Sequence, residues 1–186
     1  YKYSVQKREE IRGSMGITDQ FVIGHVGNFC YQKNHYFLLD VFEEVHKKDP
    51  NTVLLLAGDG VRFEKVRQIV AEKNLEDVVK LLGRRSDTDY LYQGMDAFLL
   101  PSNFEGLPIA GIEAQSAGLP CFMSDEITKE SKITEACYFI PLKSGAKYWA
   151  EEILDNRMER QSAEFLDNAE QYDLANQDQE LKSLIR

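Results

Sequence analysis

Three cysteines in 186 residues, Cys30, Cys121 and Cys137, show no paired spacing, and an odd count leaves one over in any pairing. A disulfide framework is therefore not expected, and a reducing compartment, the cytoplasm, is. The three histidines, His25, His35 and His46, make no metal-ligand pattern with any cysteine or aspartate, so no structural metal is expected either. No apolar run approaches the roughly eighteen residues that a bilayer-crossing helix needs. No charged-then-apolar leader opens the chain, which reads as soluble, and the missing initiator methionine points to a start inside a longer protein. Basic residues are also scarce: 22 Lys and Arg stand against 31 Asp and Glu, a net charge of −9. That balance argues against a nucleic-acid partner, because backbone binding rests on clustered Lys and Arg. From Glu151 onward there are ten acidic residues and four basic ones, the pattern of a solvated helical tail.

A hydrophobic share of 43% suits a globular domain of ordinary size. Residues 1–16 form a charged helix pattern with few apolar positions, ended by Gly13 and Gly16, and read as a connector. After it, apolar runs at 21–27, 53–57, 78–83, 97–100, 121–123 and 138–140 read as strands. Between them, Phe37, Leu38, Val41, Phe42 and Val45, and then Phe63, Val66, Ile69 and Val70, recur at helical spacing. A short helix spans 87–93, and Asp96 is expected to bond backbone near the start of a strand. The run 53–57 is apolar on both faces, as central parallel strands are. Alternating strands and helices predict an α/β doubly wound parallel sheet with ligands at the carboxyl ends of its strands. The remainder is expected to be helical, with Tyr148, Trp149, Ile153 and Leu154 as one packing stripe and Leu181, Leu184 and Ile185 as another.

The stretch Pro101-Ser102-Asn103-Phe104-Glu105-Gly106-Leu107-Pro108-Ile109-Ala110-Gly111-Ile112-Glu113-Ala114 reads as strand end, loop and helix, with Gly118 and Pro120 stopping the helix. Pro108 fits a first helical position, where a missing N–H costs nothing. The open amides of such a helix start suit a phosphate. Ala110, Ala114 and Ala117 give a small face that lets the helix lie close on the sheet. Glu105 and Glu113 flank the anion site, where each can accept hydrogen bonds from sugar hydroxyls.

The spacing Glu-x7-Glu, with Gly106 after the first Glu and Glu-Ala-x-x-x-Gly-x-Pro at the second, resembles the donor site of the retaining glycosyltransferases of family 4, which have the GT-B fold. The segment from Gly118 to Glu130 looks like the bacterial capsular and exopolysaccharide branch, and the resemblance covers about residues 10–156. It implies a Rossmann-like, C-terminal half of a GT-B protein at 17–156, a helical tail at 157–186, and an acceptor-binding N-terminal half that precedes it. Any membrane association would come through that other half. Lys33 matches the lysine of the family's Gly-Arg-x-x-x-x-Lys loop, after Gly27, and would meet the donor diphosphate. Asn28 stands where the family has Arg, and an amide supplies neither the charge nor the bidentate fork of a guanidinium.

By the same resemblance the nucleotide passes over Gly58, and the segment of Gly83 and Arg84 meets the nucleobase. Ser102, Glu105, Gly106, Leu107, Pro108, Ile109 and Ala110 line the diphosphate and donor sugar, and Glu113 takes the ribose. Lys33 and Glu105 are the expected catalytic residues. The implied donor substrate is a nucleotide diphosphate sugar, with a UDP-sugar expected; neither a tightly bound cofactor nor a metal is required. A dinucleotide-binding reading fails because Gly24-His25-Val26-Gly27 lacks the G-x-G-x-x-G fingerprint. A phosphate-accepting receiver fails because no acidic residues end the first strand. A GT-B sugar-nucleotide 2-epimerase and a non-catalytic nucleotide-sugar sensor remain as alternatives.

Overall fold

The computed structural model describes residues 3–158. Six strands alternate with helices: α1 (Val5–Ser14), β1 (Phe21–Val26), α2 (His35–Lys48), β2 (Thr52–Ala57), α3 (Phe63–Glu72) and β3 (Val79–Gly83) come first. There follow α4 (Thr88–Gly94), β4 (Ala97–Leu100), α5 (Ile109–Ser116), β5 (Cys121–Ser124), β6 (Cys137–Ile140) and α6 (Gly145–Asp155). The strands form one sheet in the order β3-β2-β1-β4-β5-β6, and every neighbouring pair is parallel. The chain winds outward from β1 on one side and from β4 on the other. The crevice between their carboxyl ends is thus the switch point at which open α/β sheets hold ligands. The doubly wound, Rossmann-like reading of the sequence is what the chain adopts.

Strand periodicity divides the core into two layers. On β2, buried along its whole length, Leu54 and Leu56 face α2, α3 and α6, while Val53, Leu55 and Ala57 face the layer that holds α1, α4 and α5. Each fully buried leucine contributes about 2 kcal/mol. The sheet is therefore held equally from both sides. In α2 the apolar stripe Leu38, Val41, Phe42 and Val45 is buried, and Phe37 packs edge-on against Trp149 of α6 with ring centroids 5.6 Å apart. Trp149 donates its indole N–H to the Pro141 carbonyl at 3.0 Å.

Asp96 bonds backbone at a strand start, accepting from the Val22 amide at 2.7 Å. It also pairs with Arg8 and Arg12 of α1, and Arg12 reaches the Gly94 carbonyl as well. The helix read as a connector is thus tied into the domain by two guanidinium groups, that of Arg12 buried. Two local expectations are corrected. Pro108 is the residue before the helix, with extended backbone (φ −80°, ψ 91°), and α5 begins at Ile109. Tyr148 is exposed, while Trp149, Ala150 and Ile153 carry the buried face of α6, which ends at Asp155. The tail expected beyond it, with Leu181, Leu184 and Ile185, lies outside the described residues.

Candidate functional site

Three strand ends meet at the carboxyl edge. The Gly27 amide donates to the Ala57 carbonyl at 3.0 Å, and the Gly58 amide to the Gly83 carbonyl at 2.8 Å. Gly58 has φ +142°, and a Cβ there would stand 2.0 Å from the Gly27 oxygen, so only glycine lets the two loops approach. A cavity of about 640 Å³ opens above them, lined by Gly27, Asn28, Gly58, Asp59 and Arg84 among others. Gly27, Asn28, Gly58, Gly83 and Arg84, spread over fifty-odd residues of sequence, therefore share one concave edge.

Lys33, Glu105 and Glu113 stand outside that cavity's lining, and Gly27 joins the two parts. A Cβ on Gly27 would lie 3.1 Å from Lys33 Cε, so the lysine stem runs alongside the first loop. Its ammonium is ion-paired with Glu105 Oε1, both side chains being largely buried, at 15% and 7% exposure. Ser102 donates its hydroxyl to the same oxygen at 2.8 Å, and Ser124 donates to the Ser102 carbonyl. The Asn103 amide donates to the Gln32 carbonyl at 2.8 Å, and its side chain to the Tyr31 carbonyl at 2.7 Å. The loop after β1 and the loop after β4 are thereby stitched together. Removing one partner of so enclosed an ion pair leaves the other charge uncompensated, a change of roughly 3 kcal/mol or more.

At the start of α5 the first intrahelical bonds run from Gly111 and Ile112 to the Pro108 carbonyl, at 2.9 and 3.1 Å. The amides of Ile109 and Ala110 precede them and have no such partner, which leaves two donors and the positive helix end for an anion. The helix lies close on the sheet at Gly111, where a Cβ would stand 2.6 Å from Met123 Cε; Ala114 and Ala117 are buried on the same layer, while Ala110 is half-buried. Gly106 and Leu107 sit in an exposed turn, and Phe104, Leu107, Ile109 and Tyr31 leave apolar side chains on the rim. Glu113, on the second turn, accepts a hydrogen bond from the Tyr92 hydroxyl at 2.9 Å.

Sequence reasoning did not find Tyr92, which carries no motif and lies on another helix. Nor did it find what His25 and His35 do. His25 Nδ1 lies 2.8 Å from the Leu99 carbonyl, which can only accept, so Nδ1 holds the proton and Nε2 is an acceptor. That Nε2 would be 3.1 Å from a Gly27 Cβ, which puts it beneath the loop that carries Lys33. His35 stacks on Phe29 at 4.1 Å and meets His25 edge-on at 4.8 Å. Burial, with Lys33 nearby, lowers the pKa of His25 to about 4 and, with His25 and Arg62 as well, that of His35 to about 2. Both imidazoles are neutral under a loop that already carries a cation. Among the described residues, no group of three or more His, Cys, Asp or Glu side chains could hold a metal ion, and no helix is long and apolar enough to cross a membrane.

Comparison with known proteins gives this edge a context. The chain is 37% identical over 126 residues to the putative glycosyltransferase EpsF of Bacillus subtilis, an alignment that takes in 67% of this chain and 33% of EpsF. It is 34% identical over 110 residues to the Escherichia coli UDP-Gal:alpha-D-GlcNAc-diphosphoundecaprenol alpha-1,3-galactosyltransferase, with 58% of this chain and 28% of that enzyme aligned. The chain thus spans about a third or less of the length of these curated relatives. Among solved structures, Anabaena HepE in complex with UDP and glucose superposes with a TM-score of 0.81 at 21% identity, over 100% of this chain and 53% of HepE. At that identity the likeness establishes the fold, the Rossmann-like sheet of the GT-B class. The family model for glycosyl transferases group 1 matches residues 7–173, and the chain belongs to that family.

Proposed function

We propose that this chain is the donor-binding half of a retaining glycosyltransferase, which moves a hexose from a nucleotide diphosphate sugar to a growing surface polysaccharide or its lipid-linked precursor. The observation that carries the reading is the enclosed Lys33–Glu105 pair, which joins the loop after β1 to the loop that leads into α5, beside the cavity lined by Gly27, Gly58 and Arg84. A cation paired into the loop that opens a helix suits a diphosphate, and the carboxylates of Glu105 and Glu113 suit a sugar on either side of it. UDP-sugar is the favoured donor, since HepE carries UDP and the Escherichia coli relative is named for UDP-Gal.

The chemistry is electrostatic. As the bond between the sugar and the diphosphate breaks, negative charge grows on the leaving oxygens, and Lys33 with the amides of Ile109 and Ala110 stabilises it. Glu105 accepts from the donor sugar hydroxyls and Glu113 from the ribose. No protein nucleophile and no metal enters this scheme. The acceptor would be held by a further domain, placed on the N-terminal side of this one. A thermal-shift panel of nucleoside mono- and diphosphates and their sugar conjugates tests the reading. The diphosphates should stabilise the chain and the free nucleosides much less, with no sugar transfer by these residues alone. Stabilisation by none of the panel would overturn the donor assignment.

A further inference from the structure

We propose that Tyr92 is a positioning residue for ribose recognition: its hydroxyl holds the Glu113 carboxylate in the orientation that meets the vicinal hydroxyls of the nucleotide. The inference rests on the reading of Glu113 as the ribose acceptor. Tyr92 is fully buried in the layer beneath α5, edge-on to Phe98 at 5.9 Å, so its ring cannot turn without repacking the core. Its hydroxyl alone reaches the site, 2.9 Å from Glu113 Oε2 and 3.3 Å from the Ala110 carbonyl. A phenol has one proton, and the nearer, charged acceptor takes it in preference.

A glutamate on a helix would otherwise sample several rotamers and a broad final torsion. Tying Oε2 to a fixed phenol sets the plane of the carboxylate. The same hydroxyl lies against Ala110, whose amide belongs to the phosphate end of the helix. Tyr92 thus fixes the ribose acceptor and the helix start relative to each other. Its own helix is anchored in turn. Arg8 donates to the Met95 carbonyl at 3.0 Å, just past the end of α4, and Arg12 to the carbonyl of Gly94, its last residue, at 3.0 Å. The Ser4 amide donates to Gln93 Oε1 at 2.9 Å. The hydroxyl is therefore referenced to the sheet through α1 and not only through its own packing.

The test is Tyr92→Phe, which keeps the ring and removes the hydroxyl. It is read by titration calorimetry with UDP, 2′,3′-dideoxy-UDP and inorganic pyrophosphate. The wild-type chain should prefer UDP to the dideoxy analogue. Tyr92→Phe should lose roughly three- to tenfold in UDP affinity, a fraction of the value of one hydrogen bond to a charged group because the acceptor is misoriented and not removed, and bind the dideoxy analogue and pyrophosphate as before. Equal loss for all three ligands would show a fold effect and overturn the inference, as would no loss for any. A wild type that does not distinguish UDP from its dideoxy analogue would overturn the ribose reading of Glu113 and this inference with it. A wild type that does, beside a Tyr92→Phe that discriminates as strongly, would overturn this inference alone. Fluorotyrosine at position 92 is a second probe, which preserves the packing and strengthens the donor. It should shift the affinity for UDP and leave that of the dideoxy analogue in place, and no shift would count against the proposal.

Discussion

The Lys33 ammonium is ion-paired with the Glu105 carboxylate, so the cation assigned to the diphosphate is held by the group assigned to the donor sugar. With Ser102 donating to the same Glu105 oxygen, that carboxylate is engaged before any ligand arrives. An incoming diphosphate competes for Lys33 and meets the negative charge of Glu105 nearby. Glu105→Gln removes that charge and should tighten bare nucleoside diphosphate about three- to tenfold, a fraction of the value of a charge-assisted hydrogen bond. The same change should weaken the sugar nucleotide, whose hydroxyls lose an anionic acceptor. Opposite signs for the two ligands in titration calorimetry are the expected outcome; a bare diphosphate that binds no better would mean that the pair does not compete with phosphate.

Lys33→Ala separates ligands differently. The ammonium has three N–H donors, and one is directed at Glu105. The substitution should weaken a nucleoside diphosphate by about 1.5 to 3 kcal/mol and the free nucleoside hardly at all. Equal loss for both would assign Lys33 to holding the two loops together.

Much of this arrangement was legible in the sequence because it is local. The apolar run of β2, the helical spacing in α2 and the strand-loop-helix form of 97–116 are set by short-range periodicity, and each appears where it was expected. So does the meeting of Gly27, Gly58 and Gly83, which follows from strand order once the sheet is parallel. Pairings across the fold were not legible. Nothing in the spacing of residues 33 and 105 says that their side chains touch, and Tyr92 reaches Glu113 from another helix. Arg8 and Arg12 belong to a stretch that reads as a charged connector, yet they converge on Asp96, more than eighty residues away in sequence. The one-residue error at Pro108 has a simple cause: proline suits both the first helical position and the extended residue before it.

Asn28 lines the cavity beside Gly27, Gly58 and Arg84, where a longer cationic side chain has room. Asn28→Arg adds a charge and a bidentate donor at the loop proposed to meet the diphosphate. Diphosphate affinity should rise by roughly 1 to 2 kcal/mol, with the nucleoside unchanged. If calorimetry shows the same affinity as wild type, position 28 does not face the phosphates.

His25 and His35 set the acid limit of the fold. Both are buried and neutral, with pKa values lowered to about 4 and about 2 against the 6.5 of an exposed imidazole. The unfolded chain therefore binds more protons than the folded one as pH falls below 6.5. Stability is full above that value and falls away as pH drops toward about 4 for His25 and about 2 for His35. Carboxylates whose values are lowered by their partners, such as Glu43 and Asp87, lose their contribution only in a more acidic window. Between pH 7 and pH 5 the two histidines dominate, and together they should remove roughly 4 kcal/mol of unfolding free energy. His35→Phe keeps an aromatic ring against Phe29 and takes away one titrating group, so about half of that loss should vanish. Neither His35 nitrogen has a partner among the described residues, so no hydrogen bond is given up in the exchange. Urea unfolding of the wild type and of His35→Phe at pH 5 and pH 7 measures this directly. Equal pH slopes for the two proteins would show that His35 is not held neutral in the folded state.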